Sequence, residues 1–425
     1  MGDAGPAFTP RVLLSMSLPA IVIGIASALV LWLLDRAAAL LQAGIWTALP
    51  AALGFDPAAP WWILLVLTAT GFAVGLVCWL MPGHGGPDSA TVELIQPAVP
   101  LKVLPGIALA SIIGLAGGVS LGPESPIIAI NGSLLVALMA RFAPGVPPRL
   151  ALMLAASATL GALIGTPVAA ALLFTGMAAA IKGEGSLWDK LFLPLVAAGA
   201  GTITFKLTGA PPLAFSVGGY GDPHPVDILS GAVVACATVA IGLVALWLFP
   251  RMHRAFHALR HPLLIPTAGG LVLGVLGIIG GPITLFKGLE ETAELLEHPG
   301  SRSSAELAAI AGVKILALLV AASAAFRGGR LFPATFIGVA LGLLAVALVP
   351  SIPLALAVSC GVLGMILVVG RDGWLAIFMA VTVAGDIAVL PLLCVIILPA
   401  WLMVSRVPEF LVRVDAGGSA APEAA

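Results

Sequence analysis

Long apolar stretches without charge constrain the fold of this chain more than any other feature. Residues 150–181 and residues 331–370 contain no charged side chain, and a membrane-spanning helix needs only about 20 apolar residues. The whole chain is 60% hydrophobic and 9% charged, whereas soluble domains carry about 25% charged residues. Within lipid the backbone satisfies its own polar groups, so stretches of this kind fold as helices. The sequence therefore predicts an all-α, polytopic membrane protein.

Glycine and proline are frequent enough to interrupt many of these helices. The chain has 50 Gly and 34 Pro among 425 residues, well above the usual share of about 12% for the two together. A break near Pro167 divides the run 150–181 into two segments. The first span is expected over residues 12–34, closed by Asp35 and Arg36, with a loop or re-entrant piece running on to Pro60. We expect tilted, broken and closely packed helices.

Charge and cysteine usage exclude several classes of function. The net charge of −1 gives no basic excess for nucleic acid, and the four cysteines stand singly in apolar segments, which predicts no disulfide framework, no metal and no cofactor. An intramembrane enzyme would need a zinc pair, paired aspartates or a nucleophile with its base, and no such pattern is present. The basic stretch 251–261 is cytoplasmic by the positive-inside rule. Its histidines, His253, His257 and His261, are expected in a solvated loop rather than in a metal site.

Glu124 is the only charged side chain between Lys102 and Arg141. Placing a carboxylate at membrane depth costs roughly 2.5 to 3.5 kcal/mol, so such a residue is a functional candidate. Glycines precede it, and Pro126 suits the first turn of a helix, where its missing N–H is no loss. The free N–H groups and positive dipole end of a helix N-terminus attract anions. We therefore interpret this stretch as an anion site with its own acid.

The second half of the chain repeats the first half in outline. Residues 85–87 and 280–282 are both Gly-Gly-Pro, and residues 122–126 and 329–333 share a Gly-x-x-x-Pro pattern, both pairs at an offset of about 200 residues. The predicted organisation is a first transmembrane repeat over residues 1–210, a second over 211–405, and a short disordered tail over 406–425. Duplicated halves with broken helices indicate a substrate site at the membrane midplane.

Three short motifs in order resemble those of the CLC family of chloride channels and chloride/proton antiporters. They are Gly83-His84-Gly85-Gly86-Pro87, Gly122-Pro123-Glu124-Ser125-Pro126 and Gly329-Arg330-Leu331-Phe332-Pro333. In that family each motif lies near a helix N-terminus, and together they build the anion pathway. The resemblance covers residues 11–404. It implies an inverted repeat of tilted, broken helices and a homodimer with one pathway per subunit, here a divergent bacterial-type member that we expect to lack cytoplasmic CBS domains.

The resemblance also implies roles for single residues. Glu124 is the protonatable gate, which leaves the pathway when it takes up a proton. The implied anion-binding residues are Gly83, His84, Gly85, Gly86, Pro87, Gly122, Ser125, Pro126, Gly329, Arg330, Leu331 and Phe332. Chloride is the expected anion, with protons as a second substrate if the chain is an antiporter rather than a channel, and the expected location is the bilayer of a bacterial cytoplasmic membrane. Fluoride or nitrate as the main anion, and a cation-coupled solute carrier with a similar repeat, remain alternatives.

The chain departs from the family pattern within the motifs. His84 stands where the family has a serine that contacts the anion; its ring either donates one hydrogen bond, with added attraction when protonated, or points elsewhere. Pro123 and Ser125 replace a basic residue and a glycine around the gate. Arg330 either faces the anion vestibule and concentrates anions there, or extends to the surface.

Further departures concern the tyrosine and the proton route. The family has an anion-coordinating tyrosine near the C-terminus, but the only tyrosine here is Tyr220 in a mid-chain loop. The family's inner proton glutamate corresponds to residues 175–177, where no carboxylate occurs before Glu184. Asp386 either acts as a second proton group or caps a helix after Gly385, and we favour the cap.

Overall fold

The computed structural model describes residues 10–143, 146–180, 186–209 and 213–413, the last range without residues 214, 216 and 222. The described part is helical and contains no β-strand. Eight of its helical stretches are long and apolar enough to cross a membrane. The prediction of an all-α, multi-pass membrane protein is therefore confirmed.

Several of the described α-helices are too short to span a bilayer alone. In chain order the helices are α1 (Pro10–Ala43), α2 (Leu49–Leu53), α3 (Pro60–Leu80), α4 (Leu104–Ala116), α5 (Glu124–Phe142), α6 (Pro148–Ile164), α7 (Pro167–Leu172), α8 (Thr175–Ala180), α9 (Leu187–Leu207), α10 (Pro225–His257), α11 (Leu264–Gly280), α12 (Leu289–Glu297), α13 (Ser304–Ser323), α14 (Leu331–Leu348), α15 (Leu354–Gly370), α16 (Gly373–Ala384) and α17 (Leu390–Val404).

The described residues form two compact units, and the first comprises those within 1–34, 95–101 and 127–214. Its helices α6 and α9 pack with their backbones in close approach. A Cβ added at Gly161 would lie 2.7 Å from the carbonyl oxygen of Ala198, and one at Gly201 would lie 2.5 Å from that of Ala158. Small residues at such contacts are typical of membrane helix pairs.

The predicted break in the run 150–181 is also in the first unit and is confirmed. Helix α6 ends at Ile164, and the C-cap residue Gly165 adopts a left-handed conformation with φ +78°. Thr166 then caps α7, because its side-chain oxygen accepts a hydrogen bond from the N–H of Ala169. A glycine in the left-handed region and a threonine cap are the usual end and start of helices.

The second unit comprises the described residues within 35–94, 102–126 and 215–425. It contains α14 and α15, which are buried along most of their length. Glycines again permit close contact: a Cβ at Gly361 would lie 2.1 Å from the carbonyl oxygen of Gly338. The motif residues numbered 83–87, 122–126 and 329–333 all belong to this unit, so its packing positions the candidate site.

Two expectations about segment ends were wrong. The first span does not end at Asp35 and Arg36, because α1 continues to Ala43 and passes through a π-helical turn into α2. Asp35 accepts a hydrogen bond from Nζ of Lys287 at 2.7 Å, so its charge is paired within the helical segment. The predicted tail is ordered over residues 406–413, because the buried side chains of Phe410 and Val412 pack in the second unit. Residues 414–425 lie outside the described part.

The expected cytoplasmic loop over residues 251–261 is also wrong in part. Helix α10 continues to His257, and His253 is buried. His261 lies beyond the helix end, with its ring 5.7 Å from that of Trp79. The strongly basic composition of this stretch predicts a solvated loop, but helical backbone and burial are compatible with that composition when partners are available.

Candidate functional site

The loops that open α5 and α14 meet at two glycines. The N–H of Gly122 donates to the carbonyl of Gly329 at 2.8 Å, and the N–H of Gly329 donates to the carbonyl of Gly122 at 2.7 Å. This reciprocal pair is an isolated antiparallel bridge. The second and third motifs, more than 200 residues apart in the sequence, are therefore joined directly through their backbones.

Glu124 is seated on the N-terminus of α14. Its side chain is buried, with 1% of the residue exposed. Its Oε1 accepts hydrogen bonds from the N–H of Leu331 at 2.6 Å and of Phe332 at 3.3 Å. The first N–H groups of a helix have no partner within the helix, and the helix dipole places positive charge there. A carboxylate therefore occupies a position suited to an anion.

The two bridging glycines leave the space that the Glu124 carboxyl group fills. A Cβ built on Gly122 would lie 2.0 Å from Oε2 of Glu124, and one on Gly329 would lie 2.2 Å from its Cδ. The Oε2 atom is buried and has no hydrogen-bond partner among the described residues. One carboxyl oxygen is thus held by backbone donors, while the other is free to take a proton.

The first motif forms a tight loop with left-handed backbone. Gly83, His84, Gly85 and Gly86 have φ angles of 70°, 54°, 68° and 90°. Such a run of positive φ values favours glycine, and histidine is one of the side chains that tolerates it best. The loop therefore requires the glycines that the motif supplies.

Arg327 holds this loop against the segment that leads into the third motif. Its Nε donates to the carbonyl of Gly85 at 3.0 Å, and its Nη2 donates to that of His84 at 3.0 Å. Ser89 adds a second link, because its hydroxyl donates to the carbonyl of Phe326 at 2.7 Å. All three motifs are consequently connected within one unit.

Arg327 and Ser89 were not predicted as site residues. For Arg327 a signal was available, because Arg327 and Arg330 are the only charged residues between Lys314 and Arg371. For Ser89 no signal was available, because a serine after a Gly-Pro turn is unremarkable in a sequence.

The side chain of Arg330 is bound to backbone carbonyls rather than extended to the surface. Its guanidinium donates to the carbonyls of Phe410 and Val92. Its backbone forms the N-cap of α14, next to the seat of Glu124. Ser125 and Pro126 lie in the first turn of α5, as the motif predicted.

The His84 ring has a defined tautomer. Its Nδ1 lies 2.9 Å from the carbonyl oxygen of Cys78, and a carbonyl only accepts, so Nδ1 carries the proton. In the neutral ring Nε2 is then an acceptor. The neutral side chain therefore has no second N–H to offer to an anion.

The remaining candidates lie elsewhere. The hydroxyl of Tyr220 donates to Oδ2 of Asp227 at 2.5 Å, and burial together with that carboxylate raises the pKa of Tyr220 above its usual range. Asp386 caps a helical turn by accepting from the N–H of Ala388 at 2.9 Å, so the favoured cap is confirmed. Residues 175–177 lie in α8, and Glu184 lies outside the described residues.

Comparison with known proteins identifies the family. The family model described as voltage gated chloride channel matches residues 83–405, beginning at the first residue of the first motif. The chain belongs to this CLC family. It is 48% identical over 403 residues to a protein of Escherichia coli O1:K1 named YfeO, whose name assigns it to ion transport; the match covers 95% of this chain and 96% of that protein. The homologue in Escherichia coli K12 is equally similar.

Solved structures share the CLC fold at low sequence identity. A slow cyanobacterial Cl⁻/H⁺ antiporter superimposes with a TM-score of 0.77 at 18% identity, covering 93% of this chain and 95% of that one. A CLC-type fluoride/proton antiporter superimposes with a TM-score of 0.72 at 18% identity, covering 93% and 96%. The predicted CLC-like fold of tilted, broken helices is therefore confirmed.

Proposed function

We propose that this CLC-family chain transports chloride or a similar small anion, with Glu124 as the gate of the pathway. The observation that carries the proposal is the bonding of its Oε1 to the N–H groups of Leu331 and Phe332. A carboxylate oxygen in this position takes the hydrogen bonds that a bound anion would take. Family membership supports ion transport in general, and the seat of Glu124 supports the gate.

Protonation opens the proposed gate. The ionised carboxylate occupies the N-terminus of α14 and excludes another anion by charge and by volume. A proton added to Oε2 removes that charge, and neutral hydrogen bonds are about half as strong as charge-assisted ones. The carboxyl group then leaves the N–H groups of Leu331 and Phe332, and chloride replaces it. Gating by protonation follows from the chemistry of one side chain.

We propose that the other predicted anion-binding residues line the pathway with their backbone groups. They are the loop 83–87 of the first motif, Gly122, Ser125 and Pro126 at the start of α5, and residues 329–332 at the start of α14. His84 is a special case, because its neutral ring donates only to Cys78. We assign it a direct bond to the anion only when the ring is protonated and Nε2 also carries a proton.

Anion efflux from proteoliposomes tests the proposal. Vesicles that contain the purified protein are loaded in turn with chloride, fluoride or nitrate, and an ionophore for the counter-cation removes the membrane potential. We expect chloride efflux well above that of protein-free vesicles. Faster fluoride or nitrate efflux would reassign the anion. Absence of all anion efflux, together with chloride-insensitive uptake of another solute, would contradict the proposal in favour of a cation-coupled carrier.

Chloride/proton antiport is a second candidate, and it is favoured by the protonatable Oε2 of Glu124 and by two structurally similar antiporters. External pH is recorded during chloride efflux without a proton ionophore. Proton uptake driven by the chloride gradient and lost in Glu124→Ala would establish antiport, with a group other than residues 175–177 carrying the proton inside. Chloride efflux without proton movement would establish a channel.

We extend the proposal to a homodimer with one pathway in each subunit, on the basis of family membership. Size-exclusion chromatography with light scattering, after correction for bound detergent, tests the assembly. The expected protein mass is that of two chains, and a mass of one chain would contradict it.

A further inference from the structure

A cluster of metal-binding side chains lies outside the anion site. Asp88 follows the first motif, and His253 and His257 stand four residues apart on α10. Their ligand atoms all lie within 4.8 Å of one another. We propose that Asp88, His253 and His257 form a binding site for one transition-metal ion of the Zn²⁺ class, at the C-terminal end of α10.

Two of the three distances between ligand atoms in the cluster fit tetrahedral coordination. Oδ2 of Asp88 lies 3.1 Å from Nε2 of His253 and 3.3 Å from Nε2 of His257. Ligands at the Zn–N and Zn–O distances of about 2.0 to 2.2 Å are about 3.3 Å apart when the geometry is tetrahedral. The two imidazole rings stack, with their centroids 3.8 Å apart and their planes 22° apart, so an ion in line with both Nε2 atoms requires the rings to rotate away from each other.

The tautomer of His257 is an independent indication that a cation belongs in the cluster. Its Nδ1 lies 3.0 Å from the carbonyl oxygen of His253, so Nδ1 carries the proton of the neutral ring. Nε2 then presents a lone pair to the Asp88 carboxylate at 3.3 Å, which is unfavourable without a positive charge between them. Either a second proton on the ring or a metal ion supplies that charge.

The surroundings of the cluster match those of metal ligands. A ligating histidine usually donates its other N–H to a carbonyl, as His257 does, and a ligating carboxylate is itself hydrogen-bonded. Oδ1 of Asp88 accepts from the N–H of Ala90 at 3.1 Å, which leaves Oδ2 for the ion. The N–H groups of nearby Arg327 are directed to the carbonyls of the first motif and its own segment, not to Asp88.

The ligand set selects the class of ion and leaves it one open position. Two imidazoles and one carboxylate favour Zn²⁺, Co²⁺, Ni²⁺ or Cu²⁺ over Mg²⁺ and Ca²⁺, which prefer oxygen ligands. The side chain of His253 is 7% exposed, whereas that of His257 is 33% exposed. Water therefore has access to the fourth position from the side of His257. A bound ion would tie the loop after the first motif to α10.

Calorimetric titration of the full chain with Zn²⁺ tests the site. The protein is purified in detergent, stripped with a chelator and titrated near neutral pH. We expect one Zn²⁺ per chain, and affinity at least about tenfold weaker in His257→Gln, because even outer-shell changes cost that much. The matched control is His298→Gln, which removes an exposed histidine outside the cluster and should bind Zn²⁺ as the wild type does.

A second variant and a second ion distinguish loss of the metal site from misfolding of His257→Gln. Asp88→Asn keeps the side-chain shape, and its elution volume and circular dichroism should match those of the wild type while Zn²⁺ affinity falls. Co²⁺ added to the wild type should give the visible absorption of a four-coordinate ion, and His257→Gln should abolish it. No Zn²⁺ binding, or equal affinity in wild type and His257→Gln, would overturn the proposal. A second proton on the His257 ring would then supply the positive charge next to Asp88.

Discussion

Gly329 determines whether the Glu124 carboxyl group can reach its seat. An alanine methyl at this position would lie 2.2 Å from Cδ of Glu124, whereas the backbone at Gly329 is not in the left-handed region and accepts alanine. Gly329→Ala should therefore displace the carboxylate. A hydrogen bond to a charged group contributes about 1.5 to 3 kcal/mol. We therefore expect the ratio of released to bound Glu124 carboxylate to rise at least about tenfold. Chloride flux at alkaline pH should rise accordingly.

Gly312→Ala is the matched control for this change. It adds the same methyl group in α13, where nothing lies within 4 Å of the new Cβ, so flux should be unchanged. Wild-type flux at alkaline pH in Gly329→Ala would contradict the role of the seat.

The gate could be predicted from the sequence, but its partners could not. Glu124 is recognisable because it is a lone carboxylate in an apolar stretch. The groups that hold it are backbone N–H donors of residues 207 and 208 positions away. Backbone donors have no signature in the side-chain sequence, so only the resemblance of the third motif to a known family pointed to them.

Lys314 connects α13 to the loop that precedes α12. It is fully buried, and its Nζ donates to the carbonyls of Thr284, Leu285 and Phe286 at 3.1, 2.7 and 2.9 Å. Lys314→Met keeps the length of the side chain and removes the three bonds. Because a buried acceptor without a donor costs about 1 to 3 kcal/mol, we expect a loss of about 3 kcal/mol or more. The melting temperature in detergent should fall clearly.

Lys287→Met is the same substitution at a partly buried ion pair and serves as the control. The side chains of Lys287 and Asp35 are 21% and 30% exposed, so water reaches the pair and only one bond is lost instead of three. We therefore expect a smaller loss of stability, about 1 kcal/mol. Equal decreases in melting temperature for the two variants would show that the three carbonyl bonds of Lys314 do not matter for stability.

The stability of the turn before α17 depends on the ionisation of Asp386, and therefore on pH in the acid range. Its carboxylate accepts from the N–H of Ala388 at 2.9 Å and of Tyr220 at 2.7 Å, and these bonds lower the pKa of Asp386. A lowered folded pKa means that the stabilisation is present above the ordinary value of about 3.9. It is lost as the pH falls through the folded value.

Asp386→Asn, which keeps the shape but not the charge, should therefore melt below the wild type near neutral pH. The difference between the two melting temperatures should shrink as the pH falls below about 4. Thermal melts over a series of pH values provide the measurement, and a difference that is constant across the series would contradict a role for the charge.

The sequence predicted helix breaks better than helix ends. The break before Pro167 was predictable, because glycine, threonine and proline each have a local preference that ends or starts a helix. The end of α10 was not, because burial of His253 depends on Asp88, 165 positions away. The order of residues 406–413 likewise depends on partners such as Phe249, which stacks on Phe410 at 4.8 Å.

On the scale of the whole molecule, the duplication of the two halves stays a prediction, and the bridge between Gly122 and Gly329 joins its two corresponding motifs. These glycines hold the same place in the second and third motifs, and their hydrogen bonds are reciprocal, as in any hydrogen-bonded antiparallel pair. The boundary of the repeats at residues 210 and 211 stays a prediction. The family and its spans could be predicted from motifs and hydropathy, whereas links such as that of Arg327 to the first motif required the folded chain.

The pH dependence of chloride flux in Glu124→Gln tests the central claim most directly. Efflux from proteoliposomes is measured over a series of pH values for the wild type, for Glu124→Gln and for the control Asp386→Asn, which removes a carboxylate outside the gate. We predict that wild-type and control flux rise as the pH falls, whereas Glu124→Gln is fast at every pH, because its neutral amide cannot be ionised. A Glu124→Gln variant that keeps the wild-type pH dependence would contradict the assignment of Glu124 as the gate.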